Sequence, residues 1–307
     1  MSLDLNLLVA LDALLQERSV TRAAARMRLS QPALSASLAR LRRHYGDELL
    51  TRVGNDYRLT PLALQLKEQA RVAVSGVERV FSAQPEFDPA SSTREFVLLV
   101  TDYMVTVLGE RVTRLFTAEA PHCRLRFAAN TPERTDRADQ VLLAADLIVL
   151  PHGFLTDLSH RDLYTDEWVC LVDAGNDRVG DALTVEHLES LPWVVTFHSP
   201  TASTLAGRQM RMLGIEPRIQ VVTETFLTVP RLVAGSDRIA LLQRRLVELM
   251  PVTAGLRVLD PPFEAAPLVE AMWWHPIYDP DPGHRYLRDL LARAADGING
   301  VDDPPRK

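Results

Sequence analysis

The sequence of 307 residues lacks several features that assign a protein to a particular class. Its two cysteines, Cys123 and Cys170, lie too far apart in the chain to form a metal-binding motif, so we expect two reduced and mostly buried thiols. It has no run of the ~18 to 20 apolar residues that a membrane-spanning helix needs. The first residues, Met1 to Asp4, lack the basic and apolar segments of a signal peptide. These absences predict a cytoplasmic protein without a membrane partner.

Motifs of several enzyme classes are also absent. The sequence has no Gly-x-Ser-x-Gly nucleophile elbow, no Gly-x-Gly-x-x-Gly turn, no Gly-Lys-Ser/Thr phosphate loop and no His-Glu-x-x-His helix. His187, His198 and His284 could each take part in catalysis, but none has a nucleophile at a recognisable spacing. We therefore predict that the protein is not an enzyme and that it has no catalytic residue, no metal site and no cofactor.

The composition is that of a folded protein whose charge is unevenly distributed. Hydrophobic residues make up 47% and charged residues 24%, which suffices for a sizeable core, and the length suggests about two domains. The net charge is −6, yet the segment from Arg18 to Arg58 holds nine arginines and only three acidic residues. A basic segment on an acidic protein indicates a polyanionic partner such as nucleic acid. The alternative is an ordinary solvated helical surface.

Apolar residues repeat at helical spacing in the N-terminal segment and divide it into three helices. The first covers Leu3 to Gln16, and the second follows a cap at Ser19-Val20-Thr21. The third is capped by Ser30, has Pro32 in its first turn and ends at Gly46. Its buried stripe consists of Leu34, Leu38, Leu41 and Tyr45. A tight turn before a third helix with a polar outer face predicts a helix-turn-helix, whose second element enters the major groove of DNA. The alternative is a small structural helical bundle.

Two strand-like runs after the third helix predict a hairpin, or wing, around Gly54-Asn55-Asp56. Ser19 to Arg42 reads SVTRAAARMRLSQPALSASLARLR and resembles the N-terminal signature of LysR-type transcriptional regulators. Leu49 to Arg52 and Leu59 to Pro61 resemble the wing of that family. The resemblance implies a regulator that binds double-stranded DNA. We expect base contacts from Gln31, Pro32 and Ser35. We expect phosphate contacts from Thr21, Arg40, Arg42 and Arg52, with Ser30 and Ser37 as further DNA-binding candidates.

A long amphipathic helix follows the wing. It opens at Thr60-Pro61, and its apolar side needs a partner. A second copy of the helix is the economical partner, whereas the alternative is that the helix packs back on its own chain. In the resembled family this helix is the linker that pairs the DNA-binding domains. Residues 84–93 are rich in turn-forming side chains and are interpreted as a hinge.

Short apolar strands alternate with helices from residue 94 onward, which predicts parallel sheets covered on both faces. The resemblance implies an effector-binding domain at 94–307 with two Rossmann-like subdomains of the periplasmic-binding-protein type. The first subdomain comprises 94–165 and 268–307, and the second comprises 166–267. The fold class is therefore α/β, with an N-terminal winged helix-turn-helix at 1–60 and a long linker helix at 61–83.

Ligands of open α/β sheets bind beyond the carboxyl ends of the strands. That rule selects an effector-binding set of Thr101, Asp102, Tyr103, Asn130, His152, Thr196, His198, Ser199, Thr201, Glu224, Thr225 and Phe226. Such a set suits a small, partly apolar molecule. Two members, Asp102 and Glu224, are acidic and none is a lysine or arginine. If both acids face inward, we expect an anionic ligand to be disfavoured, unless an arginine from elsewhere pairs with it. Segments Thr101–Leu108, Trp273–Pro276 and Asp281–Arg288 resemble the branch of flavonoid-responsive nodulation regulators and the salicylate-responsive naphthalene regulator, which implies an aromatic effector.

The resemblance also implies how the chain assembles. Paired linker helices would set two recognition helices ~34 Å apart, so we expect an interrupted palindromic operator. Pairing of effector domains would extend the dimer to a tetramer, and RNA polymerase is a further expected partner. The alternative is a solute-binding-type ligand sensor without a DNA-reading role. Such a protein would need an export signal and would not carry the arginine-rich N-terminal helices.

Overall fold

The computed structural model describes residues 5–53, 56–82, 86–197, 204–250 and 255–299. Contacts within the chain divide it into two compact units, Met1–Gln84 and Pro85–Lys307. Across the described ranges, every helix is either too short or too polar to cross a lipid bilayer.

The first unit consists of short helices, a two-stranded wing and a long helix. Its elements are α1 (Leu5–Glu17), α2 (Val20–Arg26), α3 (Gln31–Tyr45), β1 (Leu50–Val53), β2 (Asp56–Leu59) and α4 (Pro61–Ser82). Leucines of α1 and α3 share one core with the small side chains of Ala23 and Ala24 on α2, which let the helices cross closely. The predicted stripe of α3 is buried at Leu34, Leu38 and Leu41, and Tyr45 is half-buried.

Local sequence explains where these helices begin and end. The Ser19 hydroxyl accepts the backbone N–H of Arg22 at 3.3 Å, and the Ser30 hydroxyl accepts that of Ala33 at 3.4 Å. Gly46 ends α3 at φ +63°, in the left-handed region that favours glycine. β1 and β2 pair antiparallel from Leu50 opposite Leu59 to Val53 opposite Asp56, so the predicted hairpin is present.

Helix α4 has two different environments along its length. Ala63 and Ala70 lie in the core of the first unit, where α4 packs against α1. Val80 and Phe81, near its end, are 73% and 80% exposed. The alternative that this helix packs on its own chain is therefore correct for its first half, whereas its last turns leave apolar side chains on the surface of the unit.

The second unit contains two five-stranded sheets. Its strands are β3 (Glu95–Val100), β4 (Arg124–Ala129), β5 (Leu147–Pro151), β6 (Ser159–Asp166), β7 (Trp168–Asp173), β8 (Pro192–Thr196), β9 (Arg218–Thr223), β10 (Ile239–Gln243), β11 (Leu256–Leu259) and β12 (Leu268–Trp274). Its helices are α5 (Asp102–Glu119), α6 (Pro132–Asp136), α7 (Ala138–Val141), α8 (Val185–Ser190), α9 (Leu205–Met212), α10 (Val229–Val233), α11 (Arg244–Leu249) and α12 (Pro282–Asn299), with a 3-10 turn at Pro276–Tyr278.

Both sheets contain the predicted parallel strands, and each also contains antiparallel pairs, so the sheets are mixed. Sheet I has the order β4-β3-β5-β12-β6, in which β3, β4 and β5 are parallel and β12 runs antiparallel to both of its neighbours. Sheet II has the order β11-β7-β10-β8-β9, in which β8, β9 and β10 are parallel and β7 is antiparallel to β10 and β11. The antiparallel strands are those by which the chain passes from one sheet to the other and back.

The chain crosses from sheet I to sheet II between β6 and β7, and it returns to sheet I between β11 and β12. β6 ends in sheet I at Asp166 and β7 begins in sheet II at Trp168, while β12 returns the chain to sheet I at Leu268. Helix α5 starts directly after β3, capped by the Thr101 hydroxyl, and continues without a break through Gly109.

Both cysteines are free, and burial raises the pKa of the Cys170 thiol to about 12.

Candidate functional site

The outer side of α3 is an exposed polar surface. Gln31, Pro32, Ser35 and Arg40 are exposed, in agreement with the burial of the leucine stripe on the opposite side. Ser30 caps the helix, and the Ser37 hydroxyl donates to the carbonyl of residue 33 at 3.2 Å. The helix thus presents amide, hydroxyl and guanidinium groups, which are the groups that read base edges in a major groove.

Several arginines of the first unit contact acidic or carbonyl groups of the same unit. Arg22 and Arg26 pair with acidic residues of α1. The Arg42 guanidinium donates to the carbonyls of Glu48 and Leu50 at 2.9 and 3.0 Å and contacts the Glu48 carboxylate at 2.9 Å. Arg42 therefore ties the base of the wing to α3, and a phosphate contact is not needed to explain it. Thr21, Arg40 and Arg52 are exposed, and their phosphate contacts stay predictions.

A cavity lies between the two sheets of the second unit, at the carboxyl ends of their parallel strands. Its empty space, including the solvent at its open mouth, is about 650 Å³. Its walls are largely apolar, with aromatic rings from both sheets. The lining consists of Thr101, Tyr103, Asn130, Thr131, Pro132, Thr135, Leu150, Pro151, Phe154, Trp168, Phe197, Thr204, Leu205, Phe226, Gln243, Leu268 and Glu270.

Four lining residues carry a buried polar atom that lacks a hydrogen-bond partner within the described chain. These atoms are Asn130 Oδ1, Trp168 Nε1, Gln243 Oε1 and Glu270 Oε2. Buried polar groups are nearly always hydrogen-bonded, so a cluster of unpaired ones marks a place where a ligand can complete the pairing. The two amide oxygens accept hydrogen bonds, and the indole N–H donates one. The cavity therefore matches a ligand with at least one hydroxyl or N–H donor.

Glu270 is the one carboxylate among the described lining residues, and it is buried. Burial, reinforced by the negative charge of Asp166, raises the pKa of Glu270 to about 8. Burial also raises the pKa of Asp166, whose carboxylate accepts the Tyr103 hydroxyl at 2.7 Å. Burial raises the pKa of Tyr103 well above its usual value as well. At neutral pH the side chains of Glu270 and Tyr103 are therefore mostly protonated and uncharged. Because the described lining has no lysine, arginine or histidine, a bound anion would have no counter-charge there.

Asp102 does not line the cavity but connects its two sides. Its carboxylate accepts the backbone N–H groups of Phe226 at 3.1 Å and Leu227 at 3.0 Å, across the gap between sheets I and II. Phe226 is itself part of the lining. The predicted ligand contact of Asp102 is therefore corrected to a bridge that holds the loop after β9 against the start of α5.

Of the predicted effector residues, Thr101, Tyr103, Asn130 and Phe226 do line the cavity. His152 lies outside it, because its ring packs against Trp273 and bonds to Asp162. Thr196 is buried in a smaller neighbouring pocket. Glu224 and Thr225 are exposed. Within the loop after β9, the hydroxyl groups of Thr225 and Thr228 are hydrogen-bonded to each other, and Phe226 is the residue of this loop that lines the cavity. His198, Ser199 and Thr201 lie outside the described residues.

Sequence reasoning missed three of the four lining residues that carry an unpaired polar atom. Gln243 ends β10 and satisfies the strand-end rule. Trp168 begins β7, and Glu270 lies inside β12, so neither position is a strand end of the kind that the rule considers. The signal for Glu270 is present in the sequence, since it is the single charged residue of the run Leu-Val-Glu-Ala-Met-Trp-Trp.

Comparisons with known proteins agree with this arrangement. The family description "Bacterial regulatory helix-turn-helix protein, lysR family" matches residues 5–64, and "LysR substrate binding domain" matches residues 90–296. Nodulation protein D 2 of Rhizobium tropici is 33% identical over 297 residues, which cover 95% of this chain and 93% of that protein.

Solved structures share the fold over nearly the full length. A probable transcriptional regulator from Pseudomonas aeruginosa matches with a TM-score of 0.73 at 25% identity, covering 94% of this chain and 96% of that one. Full-length CbnR complexed with its target DNA matches with a TM-score of 0.64 at 14% identity, covering 95% and 100%. The chain therefore belongs to the LysR family of transcriptional regulators, with a DNA-binding helix-turn-helix and an effector-binding domain.

Proposed function

We propose that this regulator is switched by an uncharged aromatic molecule that carries hydroxyl or N–H donors and binds between sheets I and II. The observation that carries the proposal is the cavity itself, whose aromatic walls surround unpaired acceptors on Asn130 and Gln243. A planar ring can pack against Trp168 and Phe226, while its hydroxyl groups donate to the two amide oxygens. The similarity to nodulation protein D, a regulator of the branch named above, is consistent with an aromatic effector.

The described lining disfavours a negatively charged ligand. An anionic group would lie near Glu270 and Asp166 without a cation to balance it. A neutral phenol can instead donate to the amide oxygens and accept from the Trp168 indole N–H. The Thr101 hydroxyl accepts the backbone N–H of Met104 at 3.3 Å, which leaves its own proton for a ligand acceptor.

On DNA, we propose a dimer that reads an interrupted palindrome in the cytoplasm. Support comes from the exposed face of α3, with Gln31 and Ser35 as base-contacting residues, and from the exposed Val80 and Phe81, which suit pairing of α4 with a second copy. Pairing of effector domains would give a tetramer, and a change in the angle between its dimers would alter DNA bending and contact with RNA polymerase. Such a switch requires the effector to bind one arrangement more tightly than the other.

DNA binding is tested by a gel shift with the DNA upstream of the protein's own gene, run at two salt concentrations. The expected result is a specific complex whose affinity falls with salt, as phosphate contacts require. Equal affinity for this DNA and for unrelated DNA of the same length would contradict sequence-specific recognition.

Effector class is tested with matched neutral and anionic aromatics, such as salicylamide and salicylate, alongside hydroxylated flavonoids. Binding is read as a shift in thermal unfolding and as a change in the gel-shift pattern. Neutral members should act more strongly than their anionic counterparts. Thr101→Ala should weaken the response, whereas Thr117→Ala, which removes an exposed hydroxyl on α5 outside the cavity, should not. A preference for the anions, or an equal effect of both substitutions, would refute the assignment of the cavity.

A further inference from the structure

A second cluster of ligand-type side chains lies on sheet I, outside the cavity. His152 follows β5, while His160 and Asp162 lie two residues apart on β6 and therefore on one face of that strand. One ligand atom from each of the three residues lies within 4.8 Å of the other two. β12 runs between β5 and β6, with His160 paired opposite Trp273. The sheet thus brings together two imidazoles and one carboxylate from separate parts of the chain.

The distances are close to those of a metal site. Four ligands at ~2.0 to 2.2 Å from a tetrahedral zinc ion are about 3.3 to 3.6 Å from one another. His152 Nε2 and Asp162 Oδ1 are 2.6 Å apart and would separate by about 1 Å, while the wider gaps would close by about 1 Å. The His152 and Asp162 side chains are 41% and 63% exposed, so they can make these small adjustments without disturbing the core.

Surrounding groups hold the imidazole rings in place. The His160 ring lies over Trp273 with ring centres 4.5 Å apart, and the His152 ring meets Trp273 at 5.1 Å. His160 Nδ1 faces the Leu158 carbonyl at 3.4 Å, and donation by Nδ1–H leaves Nε2 as the metal-binding nitrogen. The neighbouring Arg161 lies on the other face of the strand and pairs with Asp289. Its positive charge therefore lies on the far side of the strand from the three ligands.

We propose that His152, His160 and Asp162 bind one divalent transition metal ion, with Zn²⁺ as the best match and water as the fourth ligand. Two imidazoles and a carboxylate form a ligand set that zinc takes in proteins, and three protein ligands leave a position for water. The proposal departs from the sequence-based expectation of no metal site, because the sheet brings together ligands from segments that are separated in the chain and by β12 in the sheet. The site is one residue from Pro151, which lines the cavity.

The test is a titration of the tag-free full-length protein with Co²⁺ after treatment with EDTA, followed by visible absorption and then by competition with Zn²⁺. The expected result is one equivalent of Co²⁺ with the intense visible bands of four-coordinate cobalt, displaced by Zn²⁺. His160→Ala and Asp162→Asn should each weaken binding by roughly tenfold or more. His122→Ala, which removes an exposed histidine elsewhere in the second unit, should leave binding unchanged.

Asp162→Asn keeps the shape of an exposed side chain, so it separates loss of a ligand from loss of structure if His160→Ala unfolds the sheet. Circular dichroism of each variant checks the fold. The proposal is overturned if the wild-type protein binds no Co²⁺ in a four-coordinate form. It is also overturned if the folded Asp162→Asn variant binds as the wild type does, or if His122→Ala weakens binding as much.

Discussion

Replacing Glu270 by glutamine should change how stability depends on pH. The carboxyl group has its usual pKa of 4.5 in the unfolded chain and a pKa of about 8 in the buried site. Between these two values the folded protein holds a proton that the unfolded chain has released. Folding therefore binds a proton in this range, and the free energy of unfolding must fall as pH rises from about 5 to about 8. At pH values above the pKa of Glu270 in the folded protein, this contribution to the free energy of unfolding is lost completely.

The size of the effect follows from the same two pKa values. A difference of about 3.5 units, at ~1.4 kcal/mol each, gives roughly 5 kcal/mol, reached only if no water enters the site when Glu270 ionises. Glu270 is 4% exposed, so solvent screens its charge only weakly. The loss of stability should therefore be on the order of kcal/mol rather than tenths of it. Glutamine has nearly the same shape and cannot ionise. Glu270→Gln should therefore match the wild type near pH 5 and exceed its stability above about pH 8.

Thermal unfolding of the two proteins at one protein concentration across this pH range measures the difference. For a unit of this size, each kcal/mol corresponds to about 2–4 °C, so a gap of several degrees should open as pH rises. Other titrations, such as that of Asp166, occur in both proteins and largely cancel. Glu224→Gln, which removes an exposed carboxylate, serves as control and should follow the wild type. Parallel curves for Glu270→Gln and the wild type would show that the buried carboxyl group is not protonated by folding.

Three further substitutions test other contacts. Gln31→Ala should cost ~1–3 kcal/mol on the cognate operator and relax its sequence preference, and an equal loss on random DNA would contradict base reading. Arg52→Ala should lower the salt slope of DNA binding by about 0.9 if one phosphate contact is lost, so an unchanged slope would exclude that contact. Asp102→Asn keeps a single acceptor oxygen, so across the gap it can accept the N–H group of Phe226 or that of Leu227 but not both. It should lower the free energy of unfolding by ~1–3 kcal/mol, and an unchanged unfolding curve would argue against the bridge.

The DNA-binding unit could be predicted from sequence because its determinants are local. Leu34, Leu38 and Leu41 specify the buried side of α3 by spacing alone, and Ser30 and Gly46 mark its ends. Arg42 was harder to assign, because its partners lie beyond the end of the helix. Its guanidinium bonds to carbonyl groups at Glu48 and Leu50, so the deciding contacts depend on how the chain turns after Gly46.

The cavity could be predicted only in part, because the strand-end rule applies to parallel strands. It identified Thr101 and Asn130, which follow β3 and β4. The antiparallel strands that connect the two sheets bring other positions to the same place. Trp168 enters at the start of β7 and Glu270 from the middle of β12. Placing them requires knowing that the chain leaves sheet I after Asp166 and returns at Leu268, which no local pattern encodes.

Glu270 nevertheless had a local signature of a functional position. Along β12, Leu268, Met272 and Trp274 lie in the core on the same face as Glu270, while Ala271 and Trp273 lie in the core on the other face. An acid at such a position loses its hydration and, with Oε2 unpaired, gains no hydrogen bond at that oxygen in return. An apolar residue would stabilise the strand more, so the acid lowers stability at this position. The cost falls at the wall of a cavity that both sheets line, which supports the role in ligand recognition that we propose for this cavity.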